Sequence, residues 1–405
     1  MLVTTQTSSE VSDMLNLYYT EKVLGLQEVT VKNIQENENS FEIEVEQERK
    51  ECKCPCCGQR TDKIHDYRRQ RVKELPVFGK SVVLVLRKRR YACSCGKRFA
   101  EPNTFLAKYQ RMTKRAIMEL LEKLSDNRSY TTVAKEFNVS VSTVIRFFKN
   151  IQYSKPTKLP EVIGIDEFKG NCDGTKYLFH IFDLDTHETI DIVNGKSYDV
   201  LENYFSRIEN KSNIEIVSMD MCKLFKRIIK DKFPKAHIIA DCFHFTRLVM
   251  NSLDELRLNI WRNAKGNDRK YFRWLKLSLM KDISKATQED ADKLLQAFEH
   301  SPILKYAYNL KNEFLKIKIL NTFEEKEQAF RKWLDKAESS TIKEFKKCIS
   351  TLREWHEYIS NYFKFNFSNG PTEGKNNLIK VIKRISFGFR NFNNFRNRIL
   401  ILNLK

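Results

Sequence analysis

The sequence predicts a multidomain chain of mixed α+β and α/β class. A sheet-based core is interrupted by an all-α insertion and preceded by a small β-ribbon and a helix-turn-helix. Three observations lead there. Six of the ten cysteines crowd into residues 52–95, residues 113–150 carry helical periodicity broken by one short turn, and residues 162–246 alternate apolar strand-like runs with amphipathic helices. The composition, 41% hydrophobic and 12% aromatic, supplies real cores and excludes a disordered chain. No apolar run approaches the roughly 20 residues of a membrane helix. The start, Met1-Leu2-Val3-Thr4-Thr5, lacks a basic stretch followed by an apolar one, so a cytoplasmic protein without a signal peptide is expected.

The formal charge is +20, and its distribution is informative. Residues 51–115 hold 18 basic and 5 acidic side chains, including the block Arg87-Lys88-Arg89-Arg90. The last 32 residues, from Gly374, hold 8 basic and no acidic ones, whereas residues 161–246 hold 11 basic and 15 acidic. Basic segments around an acidic centre point to a polyanionic partner, nucleic acid before a membrane surface, with a carboxylate-bearing site between them; because the basic segments read as folded elements rather than amphipathic anchors, double-stranded DNA and no membrane contact are the expectation.

Taken in order, residues 1–50 form a helix/strand segment and residues 51–105 a metal-binding module. Cys54-Pro-Cys-Cys57-Gly58 is a knuckle, and Cys93-Ser94-Cys95-Gly96 is its partner. Four thiolates suit a closed, structural Zn²⁺ site. Because the second pair is C-x-C rather than C-x-x-C, Cys52, Cys56 or His65 could substitute. Ser81–Leu86 reads as a strand running into Arg87, Lys88, Arg89 and Arg90, a basic edge for DNA. In residues 106–155, Ile117, Leu120, Leu121 and Leu124 share a helix face, a short helix places Val133, Ala134 and Phe137 inward, and Ser140 caps a third helix after the turn Asn138-Val139. That helix would present Ser140, Ser142, Thr143 and Arg146 to DNA. Ser154–Pro160 reads as a linker.

Residues 161–246 form the first part of the core. Val162–Asp166 is an apolar run ending in carboxylates, Tyr177–Leu184 and Thr189–Val193 have hairpin spacing, and Ile214–Met219 and His237–Ala240 are strands ending at Asp220 and Asp241. Three strands, helix, strand, helix, strand is the order of an RNase H-like fold. Residues 247–366 are Lys/Glu-rich and helical with four Trp, an insertion. Residues 367–405 carry a turn into a helix on which Glu373, Asn377, Lys380 and Arg384 share a polar face. Lys380 and Arg384 are candidate DNA contacts.

The order of these motifs resembles the DDE-type transposases of bacterial insertion sequences, in the family called ISL-three. The matching pieces are Cys54-Pro-x-Cys57-Gly, Leu75-Pro76…Gly79-Lys80, Arg89-Arg90-Tyr91-x-Cys93, Gly164-Ile165-Asp166-Glu167, Ser218-Met219-Asp220-Met221, Asp241-x-Phe243-His244 and Asn369-Gly370-x-x-Glu373-Gly374-x-Asn376. The resemblance implies a catalytic triad of Asp166, Asp220 and Glu373 holding Mg²⁺ (or Mn²⁺), since three carboxylates can seat two divalent ions about 3.5–4 Å apart across a scissile phosphate. Asp241 and His244 match a D-x-x-H signature and would support that site. The implied activity is cleavage at the element's inverted-repeat ends and strand transfer into target DNA, by a nucleoid-associated homodimer or larger homo-oligomer. A DNA-binding regulator without strand transfer is the competing reading.

Overall fold

The structure is a computed structural model that describes residues 17–18, 20–26, 29–126, 128–282, 285–365, 367, 370–386 and 388–404; the side chains of 267, 371–373 and 404 lie outside that description. The chain folds as two compact units, Met1–Tyr153 with Ile401–Lys405, and Ser154–Leu400.

In the first unit, strands β1 (Val29–Glu36) and β2 (Ser40–Gln47) form a hairpin. Short β3 (Cys52–Lys53) and β4 (Arg60–Thr61) pair beside the first knuckle. Long β5 (Ile64–Val77) and β6 (Lys80–Ala92) form a second hairpin, and β7 (Arg98–Ala100) pairs with β6. The sheet order is β1-β2-β6-β5, with β2 parallel to β6 from Ser40↔Ser81 to Val45↔Leu86. The N-terminal hairpin, which reads as a separate segment in the sequence, therefore belongs to the same sheet as the basic ribbon. Ile43, Val45, Val72, Leu84 and Leu86 are buried on one face of it.

The helical part follows its sequence signals closely. Helices α1 (Lys114–Ser125), α2 (Tyr130–Glu136) and α3 (Val141–Lys149) are capped by Thr113, Ser129 and Ser140, each accepting a hydrogen bond from a backbone N–H three residues on. Leu120, Leu124, Val133, Ala134, Phe137, Val144 and Phe148 make their shared core, which Ile401 of the C-terminal turn also enters. Asn138 sits at φ +47 between α2 and α3, a left-handed position that asparagine tolerates.

The second unit is built on strands β8 (Val162–Cys172), β9 (Thr175–Asp183), β10 (Thr189–Val193), β11 (Ile216–Met219) and β12 (His237–Ala240), in the order β10-β9-β8-β11-β12. The first three are antiparallel, and β8, β11 and β12 are parallel. On one face, Phe179 packs edge-on against Phe205 of α4 (Tyr198–Ser206) and Phe225 of α5 (Lys223–Lys232). Helix α6 (Cys242–Asn263) leaves β12 and opens a helical stretch. That stretch includes α7 (Gln288–His300), α8 (Pro302–Ile317), α9 (Phe323–Ser339), α10 (Lys343–Glu354) and α11 (His356–Phe365). Trp333 and Trp355 are buried there as packing groups, whereas Trp274 is exposed. The chain then returns to the sheet through α12 (Gly370–Ile385) and α13 (Phe392–Leu400), where Phe395 meets Phe168 of β8. Part of the basic tail is therefore internal. Arg396 and Arg398 are buried, and Arg396 pairs with buried Asp191 at 2.5 Å.

Candidate functional site

Strand register creates the acidic site. Ile165 pairs with Met219, and Met219 with Ala240, as the last parallel rungs. Asp166, Asp220 and Asp241 thus each stand one residue beyond the same rung, on neighbouring strands about 4.8 Å apart. The sequence reading ends the first strand at Asp166. In the structure β8 instead runs on to Cys172, because its pairing with β9 outlasts that with β11. Asp166 lies where β8 projects past its shorter parallel neighbour, which opens its carboxylate to a cleft of about 500 Å³ that Asp220, Asp241, His244, Lys318, Asn376 and Lys380 also line.

Three groups of this site gather around one another. His244 Nδ1 lies 3.0 Å from Asp220 Oδ1 and 3.0 Å from Asp241 Oδ2, and these residues could hold a cation together. Burial works against the His244 imidazolium, but the hydrogen bonds and charges of Asp220 and Asp241 outweigh it and push His244 up to about 10. Asp166 is pushed up to about 7, chiefly by burial and then by the nearby charge of Asp220. Its Oδ1 accepts from the Glu167 backbone N–H at 2.6 Å, and its Oδ2 accepts from Asn376 Nδ2 on α12. A carboxylate driven toward neutrality by a neighbouring carboxylate is relieved by a hard cation, and the donor set is all oxygen apart from one imidazole. Glu373 lies on α12, three residues before Asn376; its side chain falls outside the described residues.

In the first unit, the sulfur atoms of Cys54, Cys57, Cys93 and Cys95 all lie within 4.8 Å of one another. Cys54 Sγ is 3.7 Å from Cys95 Sγ and Cys57 Sγ is 3.5 Å from Cys93 Sγ, close to the ~3.8 Å edge of a tetrahedron built on Zn–S bonds of ~2.3 Å. The C-x-C pair closes because Gly96 takes φ +83, letting its N–H reach Cys93 O at 3.0 Å. The N–H of Cys95 leads the interactions that draw the Cys93 thiol down to about 6. Cys52, Cys56 and His65 stand outside this cluster.

The basic surface of the same unit differs from the sequence expectation in one residue. Arg87 is exposed and stacks 4.1 Å from the Tyr67 ring centroid, Lys88 is half-buried, and Arg90 pairs with Asp66 at 2.8 Å. Arg89 is buried: its guanidinium bonds Glu101 at 3.1 Å, Glu46 at 2.6 Å and Gln47 O at 2.7 Å, so it is withdrawn from any phosphate. The outward cations that sequence reasoning missed are Arg69 and Arg71 on β5. With Lys73, Arg111 and Asn138 they line a groove of about 720 Å³. Lys73, Arg111 and Asn138 continue into a second hollow bearing Ser140, Thr143 and Arg146 at the start of α3, while Ser142 is exposed beside it. The i, i+2 spacing of Arg69, Arg71 and Lys73 was the available signal. Lys380 and Arg384 are exposed on α12, Lys380 at the carboxylate cleft.

Comparison with known proteins decides the family. Residues 163–399 match the ISL3 family model described as "Transposase". The chain belongs to the ISL3 transposase family. Residues 50–95 of this transposase match the zinc-finger of transposase IS204/IS1001/IS1096/IS1165, and residues 101–152 the helix-turn-helix domain of transposase family ISL3. The cysteine cluster lies in a zinc ribbon and supports a structural zinc there, and the capped helices α1–α3 are a helix-turn-helix that supports DNA binding. The transposase for insertion sequence element IS1001 of Bordetella parapertussis is 27% identical over 348 residues, 82% of this chain and 84% of that one. The transposase for IS1557 of Mycobacterium tuberculosis is 25% identical over 253 residues, 56% of each chain. A Lactococcus lactis protein named ATP-dependent protease is 28% identical over 163 residues, 40% of this chain and 47% of that one. Among the described residues of the transposase, no helix is long and apolar enough to cross a membrane.

Proposed function

We propose that this transposase binds the terminal inverted repeats of its insertion sequence and cuts and joins DNA at Asp166, Asp220 and Glu373, within an RNase H-like core split by the helical insertion. The register that sets Asp166 and Asp220 side by side at the parallel end of the sheet carries the reading. The strand order β10-β9-β8-β11-β12, three strands antiparallel and then parallel neighbours, supports the fold assignment. By helical spacing, position 373 falls on the face of α12 that also bears 376 and 380, both of which border the cleft.

Mg²⁺ (or Mn²⁺) held by the three carboxylates would neutralise charge on the scissile phosphate and lower the pKa of the attacking hydroxyl. The chain's own groups do the rest. Asp166 is held by two donors and so presents a fixed oxygen. Lys318 and Lys380 stand as cations beside the phosphate path, with His244 anchored by Asp241 at its edge. In the first step water attacks phosphorus and the bond to the element's 3′-oxygen breaks, leaving a 3′-OH. In the second that 3′-OH attacks a target phosphate, and the target's own 3′-oxygen leaves. Both are in-line exchanges at one site.

End recognition falls to Arg69, Arg71 and Arg111 of the groove and to Arg87, Lys88 and Arg90 of β6, in backbone-positioning roles, and to Ser140, Ser142, Thr143 and Arg146 in base-reading roles. Two ends must be held together, so the acting form is a homodimer or larger assembly on DNA. Labelled end DNA incubated with Mg²⁺ tests the reading. Wild-type protein should release a 3′-OH end, and Asp166→Asn should bind the DNA without cutting it. Normal cutting by that variant would sink the assignment.

A further inference from the structure

We infer that Asn376, with His180 and Thr189 behind it, is a positioning residue: a buried hydrogen-bond relay that orients the Asp166 carboxylate and ties α12 to the central sheet. The inference rests on the proposed catalytic role of Asp166. His180 stands directly across from Asp166 in the β8–β9 register, so both side chains leave the sheet on one face. Asn376 reaches both. Its Nδ2 donates to Asp166 Oδ2, and its Oδ1 lies 3.0 Å from His180 Nδ1. His180 Nε2 in turn lies 3.0 Å from Thr189 Oγ1 on β10.

The protons in this chain are fixed by its ends. A carboxylate oxygen accepts, so the Asn376 amide donates to it and turns its carbonyl toward His180. His180 must therefore carry its proton on Nδ1 and accept from the Thr189 hydroxyl at Nε2. That is the neutral imidazole, in a single tautomer. Burial acts in the same direction, bringing His180 down to about 4, and its ring sits among Phe168 and Phe182. Asn376 itself is 5% exposed and His180 fully buried, so no water replaces a broken link cheaply. Because Asn376 lies three residues from Glu373, the same bond that aims Asp166 sets the helix carrying the third carboxylate. The relay thus ties the helix that carries position 373 directly to the Asp166 carboxylate.

The test uses full-length, zinc-loaded protein and Mn²⁺ alone as probe, read by electron paramagnetic resonance, with ¹⁵N-histidine NMR beside it. Wild-type His180 should show the neutral Nδ1–H signature at pH 8, where Asp166 is ionised and its oxygens only accept. Asn376→Ala and His180→Phe should each weaken Mn²⁺ binding about tenfold, as loss of a partner behind a metal ligand does. His180→Gln, which keeps one donor and one acceptor, should recover most of it. End-DNA affinity should stay within threefold throughout. An imidazolium or an Nε2–H tautomer in the wild type would overturn the relay, as would Mn²⁺ affinity in Asn376→Ala equal to wild type. Asp166→Asn is the reference: if it too leaves Mn²⁺ binding and cleavage intact, the active-site reading has failed rather than the relay alone.

Discussion

Arg89→Ala separates a structural arginine from the DNA-facing ones around it. The side chain is 7% exposed, and its two carboxylate partners, Glu101 and Glu46, are 4% and 12% exposed. Its own backbone N–H also donates to Glu101 at 2.9 Å. Truncation leaves buried Glu101 without a cation and Glu46 with only the more distant Arg87, 3.7 Å away, a loss of about 3–5 kcal/mol. At roughly 2–4 °C per kcal/mol for a unit of this size, the melting point should fall by roughly 6–20 °C. Arg71→Ala is the control. That side chain is 59% exposed on its ion pair with Glu42, a surface contact that water and salt screen, so its melting point should barely move. Calorimetry of the DNA-free, zinc-loaded protein, following the transition that releases zinc, reads both. Alongside it, end-DNA affinity at fixed salt should drop for Arg71→Ala at a temperature where both variants are folded. If Arg89→Ala melts within about 2 °C of wild type and loses DNA affinity as Arg71→Ala does, the burial argument is wrong.

Three further outcomes follow from the geometry. A Cβ at Gly164 would stand 1.8 Å from the Phe182 ring, so Gly164→Ala must displace that buried ring, two residues from Asp166; it should cost about 1–3 kcal/mol by thermal melt and lower cleavage, and an unchanged melt would count against it. Cation binding should strengthen with pH: Asp166 is protonated below about 7, so its ionisation should raise Mn²⁺ affinity about tenfold per unit up to that point. A flat profile between pH 5.5 and 8 would contradict the Asp166 environment. Cys95→Ser should abolish bound zinc by metal analysis and weaken end binding; full zinc occupancy in that variant would instead favour Cys52, Cys56 or His65 as the fourth ligand.

Much of this architecture is legible locally, and the parts that are not share a cause. Caps at Thr113, Ser129 and Ser140 announce α1–α3 because capping is a contact within three residues. Asp220 and Asp241 announce themselves as carboxylates directly after short apolar strands, since a buried parallel strand must end where its polar residues begin. The parallel pairing of β2 with β6 joins residues some forty apart and leaves no local trace. Arg87 and Arg89 share a strand face by alternation, and only the tertiary approach of Glu101 makes one a surface cation and the other a core group. His180 looks like one polar residue in an apolar run, and its meaning depends on Asn376, 196 positions away.

Asp166, Asp220 and Glu373 are proposed to act as one catalytic set. Single-turnover cleavage of labelled end DNA in Mg²⁺ should be measured for Asp166→Asn, Asp220→Asn and Glu373→Gln, with DNA binding quantified in the same samples. Each variant should bind within about threefold of wild type and cut at least about a thousandfold more slowly, a loss of about 4 kcal/mol in transition-state stabilisation. Wild-type cutting by any one of the three would contradict it.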